Sequence, residues 1–127
     1  MTNGKVSPSV LVIDDNQDMT EMISDYLQSQ EIECKVINDG KEGLDEIKSE
    51  NEYSVIFLDL AMPGFSGYDV FNTLKKEGLV QSKNIIIFTA SSITEGEIEE
   101  VLSNGAKGIL RKPASIDELT EVINRFT

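Results

Sequence analysis

The sequence predicts an α/β fold in which five parallel strands alternate with five helices, a doubly wound (βα)5 arrangement. Short apolar runs of strand length alternate along the chain with longer stretches whose apolar residues recur every three or four positions. Three of the short runs are almost unbroken, which is typical of strands buried on both faces of a parallel sheet. Because crossovers between parallel strands are right-handed, few topologies remain, and we predict the strand order 2-1-3-4-5.

The individual elements follow from these two periods. The predicted strands cover residues 10–13, 34–37, 53–58, 84–88 and 108–110. Each predicted helix carries an apolar stripe that should face the core. The stripes are formed by Met19, Met22, Ile23, Tyr26 and Leu27; by Leu44 and Ile47; by Val70, Phe71 and Leu74; by Ile98, Val101 and Leu102; and by Ile116, Leu119, Val122, Ile123 and Phe126.

Capping residues predict where the helices begin and end. Asn16 and Ser66 have side chains that suit N-caps. Residues 94–97 and 115–118 fit the capping box, in which a hydroxyl and a glutamate satisfy free amides at the helix start. Gly78 and Gly105 stand where the third and fourth helices should stop.

Composition limits the classes of function. The 127 residues predict one domain at 9–127, preceded by a short flexible tail at 1–8. With 23 acidic and 11 basic residues the net charge is −12, so we predict no binding to nucleic acid or membrane. No signal peptide or apolar run of membrane-spanning length is visible, and Cys34 is the one cysteine, which predicts a cytoplasmic protein without internal disulfides.

Chemically distinctive side chains mark the ends of the predicted strands. Asp14 and Asp15 end the first apolar run and Asp59 the third, while Thr89 ends the fourth and Lys112 closely follows the fifth. Taken singly, each residue has an ordinary explanation as a turn, a cap or a solvated side chain. The carboxyl ends of parallel strands share one edge of the sheet, where ligands bind. We therefore expect these five side chains to form one site.

The charges of this site predict a metal. Three carboxylates about 5 Å apart, in a medium of effective dielectric about 20, repel one another by roughly 3 kcal/mol per pair. One Mg²⁺ ion together with Lys112 would balance the three negative charges. Mg²⁺ suits such oxygen ligands, whereas zinc prefers cysteine or histidine and the chain has no histidine. A carboxylate beside a metal and a lysine is an arrangement suited to phosphoryl transfer.

These motifs resemble a known family. Asp14-Asp15, the loop Asp59-Leu60-Ala61-Met62-Pro63-Gly64-Phe65-Ser66-Gly67, Thr89-Ala90 and Lys112-Pro113 are similar to the receiver domain of two-component response regulators, in its stand-alone, CheY-like form. The resemblance covers nearly the whole chain, from about Ser9 to Phe126. It implies a flavodoxin-like sheet and a phosphorylation-dependent signalling switch that catalyses only its own phosphorylation and dephosphorylation.

The resemblance also implies a role for each site residue. Asp59 would accept the phosphoryl group. Asp15, Asp59 and the carbonyl of Ala61 would ligate Mg²⁺, and Asp14 would hold the metal through water. Lys112 would pair with the phosphoryl group from beside a cis bond to Pro113, and the hydroxyl of Thr89 would turn inward to it.

The chain departs from the family at the switch position. Many receivers carry tyrosine or phenylalanine three residues before the lysine, whereas this chain has Ile109. We therefore expect switching to proceed through Thr89 and the loop after it. Ala61 and Ser91, at positions that tune phosphoryl lifetime in the family, are both small and uncharged, so the lifetime is left open.

The expected partners are proteins. Because the chain lacks histidine, the phosphoryl donor would be a sensor histidine kinase, a histidine phosphotransfer protein or a small phosphodonor. The output would pass to an unidentified protein target, at the face of the fourth helix, fifth strand and fifth helix.

Three alternative functions compete with this prediction. A degenerate receiver would act as a phosphorylation-independent binding scaffold. A haloacid dehalogenase-type hydrolase would need a second aspartate two residues after Asp59, where Ala61 stands. A flavodoxin would need a phosphate cradle where this chain has Asp14, Asp15 and Asn16.

Overall fold

The computed structural model describes residues 8–90 and 92–127, so Ser91 and all of the predicted tail except Pro8 lie outside the described residues. Strands and helices alternate along the chain. They are β1 Ser9–Ile13, α1 Gln17–Ser29, β2 Glu33–Ile37, α2 Gly40–Lys48, β3 Val55–Leu58, α3 Gly67–Lys76, β4 Ile85–Ala90, α4 Glu95–Ser103, β5 Gly108–Lys112 and α5 Ile116–Arg125.

The strands form one parallel sheet in the order β2-β1-β3-β4-β5, which confirms the predicted fold and topology. The order reverses between β1 and β3, which lie side by side at the centre. Their register pairs Ile13 with Leu58, the last residue of each strand. The residues that follow, Asp14 and Asp59, therefore leave the sheet at the same level, at the switch point where ligands bind in such sheets.

The core has two layers, one on each face of the sheet. Leu11 and Ile13 of β1 pack in the layer that contains residues of α2, α3 and α4. Val10 and Val12 alternate to the opposite layer, with residues of α1 and α5. All four side chains are fully buried. Burying an aliphatic side chain of this size contributes about 1.5–3 kcal/mol, and these layers hold the strand ends that carry the site.

The predicted helix boundaries are confirmed by their caps. Asn16 accepts a hydrogen bond from the main chain of α1, and α3, α4 and α5 all begin with complete capping boxes. Gly78 and Gly105 follow α3 and α4 with positive φ angles of 71° and 114°, a conformation that costs glycine least. None of the described helices combines the length and the apolar character needed to cross a membrane.

Two residues of the predicted apolar stripes do not face the core. Met22 of α1 is 57% exposed and Leu102 of α4 is 42% exposed. In α1 the buried side chains are Thr20, Ile23 and Leu27. Thr20 lies three residues before Ile23 and seven before Leu27, so it shares their buried face, and its hydroxyl has hydrogen-bond partners there.

The last two strands are longer than predicted. Thr89 and Ala90 belong to β4, and Arg111 and Lys112 belong to β5, because their main chains continue the parallel ladder as Thr89–Arg111 and Ala90–Lys112 pairs. Main-chain pairing extends the strands past the point where their side chains cease to be apolar. Thr89 and Lys112 thus lie in the final residues of strands rather than in the loops beyond them.

Candidate functional site

Three aspartates lie together at the carboxyl ends of β1 and β3. One carboxylate oxygen from each of Asp14, Asp15 and Asp59 lies within 4.8 Å of the other two, so these atoms could hold one metal ion. Asp14 is fully buried and Asp59 is 3% exposed, whereas Asp15 is exposed to solvent. The structure thus brings together the acidic residues that the sequence predicted, at the expected edge of the sheet.

Hydrogen bonds fix the loop that carries the acidic pair. The main-chain N–H of Asp14 donates to the carbonyl of Ile37 in β2 at 3.0 Å. The Oδ1 atom of Asp14 accepts a hydrogen bond of 3.0 Å from the N–H of Asn16. The side chain of Asn16 in turn caps α1 by accepting from the N–H of Met19. The buried carboxylate is therefore oriented by the same turn that starts the helix.

The loop after β3 fixes Asp59. The N–H of Ala61 donates to Oδ1 of Asp59 at 3.2 Å, so the turn that follows the strand lies against this carboxylate. The first residue of helix α3, Gly67, lies against the main chain of Asp59. A Cβ atom at Gly67 would lie 1.9 Å from the main-chain oxygen of Asp59 and 2.6 Å from the Cα of Leu60. Only glycine permits this close approach of the helix start to the strand end.

Lys112 supplies the positive charge of the site. Its Nζ lies 2.5 Å from Oδ2 of Asp14 and 3.7 Å from Oδ2 of Asp59. The ammonium also lies 5.1 Å from the ring centroid of Phe88, within the range of a cation–π interaction. The peptide bond to Pro113 is cis, as the resemblance implied. The ammonium of Lys112 therefore lies closer to the carboxylate of Asp14 than to that of Asp59.

Thr89 lies at the same edge on the neighbouring strand. Because Leu58 pairs with Ile87, Asp59 is level with Phe88, and Thr89 stands one residue further along. Its side chain is 4% exposed. This position places a hydroxyl residue between the carboxylates and the loop that leads to α4.

The environment of Asp59 disfavours its charged form. Burial raises the pKa of Asp59 above its ordinary value of 3.8, and the neighbouring carboxylate of Asp14 raises it further. The hydrogen bond from Ala61 and the charge of Lys112 act in the opposite direction, and Asp15 adds a smaller upward contribution. The raised pKa means that the folded protein holds the ionised form of Asp59 against the cost of burial first, and against repulsion from Asp14 second.

We expect the contribution of Asp59 to the stability of the metal-free protein to fall as pH rises above about 3.8. An acid whose pKa is higher in the folded than in the unfolded state binds more protons when folded, so its contribution to the free energy of unfolding declines between the two pKa values. Urea unfolding across this range, with a chelator present, measures the slope. Asp59→Asn should make the profile flatter, and an unchanged slope in that variant would contradict the assignment.

The residues present fit a divalent cation. With Lys112 counted, the three carboxylates leave two negative charges without a counterpart. The Oδ2 atom of Asp14 is buried, and its contact among the described residues is the ion pair with the ammonium of Lys112. All the donor atoms are oxygens, which suits Mg²⁺, and Cys34 lies elsewhere, on β2. The prediction of a magnesium site therefore agrees with the chemistry of the ligands.

One residue that contacts this site was not predicted from the sequence. Asn38, the first residue after β2, donates a side-chain hydrogen bond to the carbonyl of Asp14. A polar residue directly after an apolar strand is the same signal that identified Asp14 and Asp59. It was not applied to β2 because this edge strand is half exposed and its residues mix apolar and charged types.

Comparison with known proteins identifies relatives along almost the whole chain. Residues 10–124 match the family model described as the response regulator receiver domain. The two-component response regulator ORR5 of Oryza sativa subsp. japonica is 26% identical, over 94% of this chain and 88% of its own length. The hybrid signal transduction histidine kinase G of Dictyostelium discoideum is 31% identical over 92% of this chain, which spans only 3% of that kinase.

Solved structures with the same fold include receiver domains. The receiver domain of the Francisella response regulator 1452 superimposes with a TM-score of 0.82 and 35% identity, covering 94% of this chain and 96% of that one. The response regulator TrrA of Thermotoga maritima, solved in complex with Mg²⁺ and beryllofluoride, gives a TM-score of 0.78 and 28% identity, over 94% and 99% of the two chains.

Proposed function

This chain belongs to the response regulator receiver domain family, whose members are phosphorylation-dependent switches of two-component systems, and we propose that Asp59 is its phosphoacceptor. The observation that supports this choice is the different state of the two buried carboxylates. Asp14 is already in close contact with Lys112 at 2.5 Å, whereas Oδ2 of Asp59 lies 3.7 Å from the same ammonium. Asp59 therefore keeps an oxygen near a positive charge without being bound to it.

The proposed reaction transfers a phosphoryl group from a partner's phosphohistidine. An oxygen of Asp59 attacks the phosphorus, the P–N bond breaks, and its electron pair returns to the imidazole nitrogen of the donor. The hydrogen bond from Ala61 to Oδ1 orients the carboxylate for attack. As the resemblance to receiver domains implies, Lys112 would neutralise charge on the phosphoryl oxygens, and the hydroxyl of Thr89 would donate a hydrogen bond to one of them.

Asp15, Asp59 and the carbonyl of Ala61 would hold Mg²⁺ directly, with Asp14 holding it through water. When bound, the metal supplies positive charge that lowers the repulsion between the carboxylates and the incoming phosphoryl group. The raised pKa of Asp59 is consistent with this role of the metal, because part of the shift comes from the neighbouring carboxylate of Asp14.

The donor and the output are both proposed to be proteins. The chain contains no histidine, so the phosphohistidine would belong to a sensor histidine kinase or a histidine phosphotransfer protein. The net charge of −12 argues against nucleic acid and membrane surfaces as partners. We further propose a cytoplasmic protein that catalyses no reaction beyond its own phosphorylation and dephosphorylation, and whose target binds near α4, β5 and α5.

Acetyl phosphate provides a direct test of the switch. With Mg²⁺ present, we expect intact-protein mass spectrometry to find a single phosphoryl group that is lost under alkaline conditions, as an acyl phosphate should be. A chelator should prevent the labelling, because the three carboxylates then repel the donor. If the chain takes up no phosphoryl group from acetyl phosphate or from any phosphohistidine donor, it is instead a phosphorylation-independent scaffold.

The route from the site to α4 is proposed to run through Thr89 and the loop after it. Ile93 in this loop packs against the core, as does Ile109 of β5. Thr94 caps α4, and Glu97 completes the capping box while also accepting a hydrogen bond from the hydroxyl of Tyr68 in α3. A displacement of Thr89 toward a phosphoryl group would therefore act on the start of α4 through Ile93 and Thr94.

We expect Thr89→Ala to remove most of the response of α4 to a phosphoryl mimic. Beryllofluoride with Mg²⁺ should change amide exchange and chemical shifts in residues 92–98 of the wild type, because Thr89 moves inward and carries the loop with it. Ile109→Val, which keeps a branched aliphatic side chain at the switch position, is the matched control and should leave these changes nearly intact. The opposite ranking would make Ile109 the gate.

A further inference from the structure

Asn38 contacts the acidic loop from the end of β2. Its Nδ2 donates to the main-chain carbonyl of Asp14 at 2.7 Å and to Oγ1 of Thr20 at 3.1 Å. The amide of asparagine has two N–H groups, and both are used here. One side chain therefore links the end of β2 to the end of β1 and to the first turns of α1.

The bond to Asp14 controls the geometry of the acidic pair. A peptide unit is planar, so the carbonyl of Asp14 and the N–H of Asp15 belong to one rigid plane. Asn38 donates to the oxygen of that plane. The N–H of Asp14, in the preceding peptide unit, donates to the carbonyl of Ile37. The direction in which Asp15 leaves the strand is thus determined by contacts to β2.

Thr20 anchors the other end of this arrangement. It is 1% exposed, and its hydroxyl donates to the carbonyl of Gln17 at 3.1 Å while accepting from Asn38. A buried hydroxyl costs stability unless it is hydrogen-bonded. This pair of bonds satisfies the hydroxyl of Thr20 in its buried place on α1.

We infer that Asn38, supported by Thr20, is a positioning residue that holds the Asp14–Asp15 peptide in place for a divalent cation. The inference rests on the proposed magnesium site. Three carboxylates that repel one another favour any movement of the loop that separates them. Because Asn38 restrains the one peptide that joins two of them, it offsets that tendency before the cation arrives. Residues that orient metal ligands in this way typically change metal affinity by about 10–100-fold when they are removed.

The test is the Mg²⁺ dissociation constant, measured by titration calorimetry on the full chain. We expect Asn38→Ala to weaken Mg²⁺ binding by about tenfold. Asn84→Ala is the matched control, because Asn84 also donates from Nδ2 to a main-chain carbonyl, that of Ser54. Asn84 lies just before β4, at the amino ends of the strands and away from the site. If Asn84→Ala weakens Mg²⁺ binding as much as Asn38→Ala, the effect is general destabilisation and the inference is overturned.

A second pair of variants separates positioning from packing at Thr20. Thr20→Ser keeps the hydroxyl and should bind Mg²⁺ nearly as the wild type does, whereas Thr20→Val keeps the shape but loses the acceptor and should bind several-fold more weakly. Amide exchange in the metal-free protein provides an independent readout, since Asn38→Ala should accelerate exchange at Asp15 and Asn16.

The outcomes distinguish this inference from the proposed function. If the wild type binds Mg²⁺ and both Asn38→Ala and Thr20→Val bind it within twofold of the wild type, the positioning role is wrong and the metal site stands. If the wild type itself binds no Mg²⁺ at millimolar concentration, the metal site is wrong and the inference fails with it.

Discussion

Asp59→Asn is expected to abolish phosphoryl uptake. The substitution keeps the shape of the side chain but replaces the nucleophilic carboxylate oxygen with an amide, which cannot form an acyl phosphate. Wild-type protein treated with acetyl phosphate and Mg²⁺ should carry one labile phosphoryl group, and the variant should carry none. Intact-protein mass spectrometry, followed by peptide mapping of the loop at residues 59–67, measures both the amount and the position.

A matched substitution controls for the loss of one negative charge. Asp45 lies on the exposed surface of α2, and Asp45→Asn should be labelled as strongly as the wild type. Asp15→Asn should retain the acceptor but react more slowly, because one metal ligand is weakened. Labelling of Asp59→Asn to the wild-type level would show that another side chain accepts the phosphoryl group.

Lys112→Met is expected to cause the largest loss of stability among single substitutions at the site. Lys112 is the partner of a fully buried carboxylate, with Nζ 2.5 Å from Oδ2 of Asp14. Removing one member of a buried ion pair leaves an uncompensated charge and typically costs about 3–5 kcal/mol. The free energy of unfolding, measured in urea without Mg²⁺, should therefore fall by about 3 kcal/mol. Mg²⁺ at tenfold its dissociation constant should recover about 1.4 kcal/mol.

Two further variants test the physical cause of that loss. Lys76→Met removes an exposed lysine from the last turn of α3 and should change stability little. Asp14→Asn combined with Lys112→Met leaves no orphaned carboxylate at this position, so the double variant should be more stable than Lys112→Met alone. A double variant that is less stable than Lys112→Met would mean that packing of the lysine stem, and not charge, dominates.

The fold could be predicted because its signals are local and repeated. Unbroken apolar runs identified β1, β3 and β4, and capping residues identified the starts of α1, α3, α4 and α5. The clustering of Asp14, Asp15 and Asp59 followed from topology, because strands that run in parallel end at one edge. A few strong local rules therefore sufficed to predict that Asp14 and Asp59, which lie 45 positions apart in the sequence, are close in space.

Features that depend on particular side-chain contacts could not be predicted in the same way. The apolar pattern placed Met22 in the core, but Met22 is exposed, and the polar residue Thr20 is buried with hydrogen bonds to its hydroxyl. The sequence likewise did not indicate that the ammonium of Lys112 would lie closer to Asp14 than to Asp59. The partner of a charged side chain is determined by distances of a few ångströms, which spacing in a sequence does not encode.

The close approach at Gly67 also limits how this chain can vary. Any residue with a Cβ atom would overlap the main-chain oxygen of Asp59, so helix α3 would have to shift as a unit to accommodate it. Such a shift would reorient Asp59 without altering any side chain of the acidic cluster. Selection on the chemistry of the site therefore acts on a residue that has no side chain, and natural sequence variation in α3 is expected to begin at Tyr68.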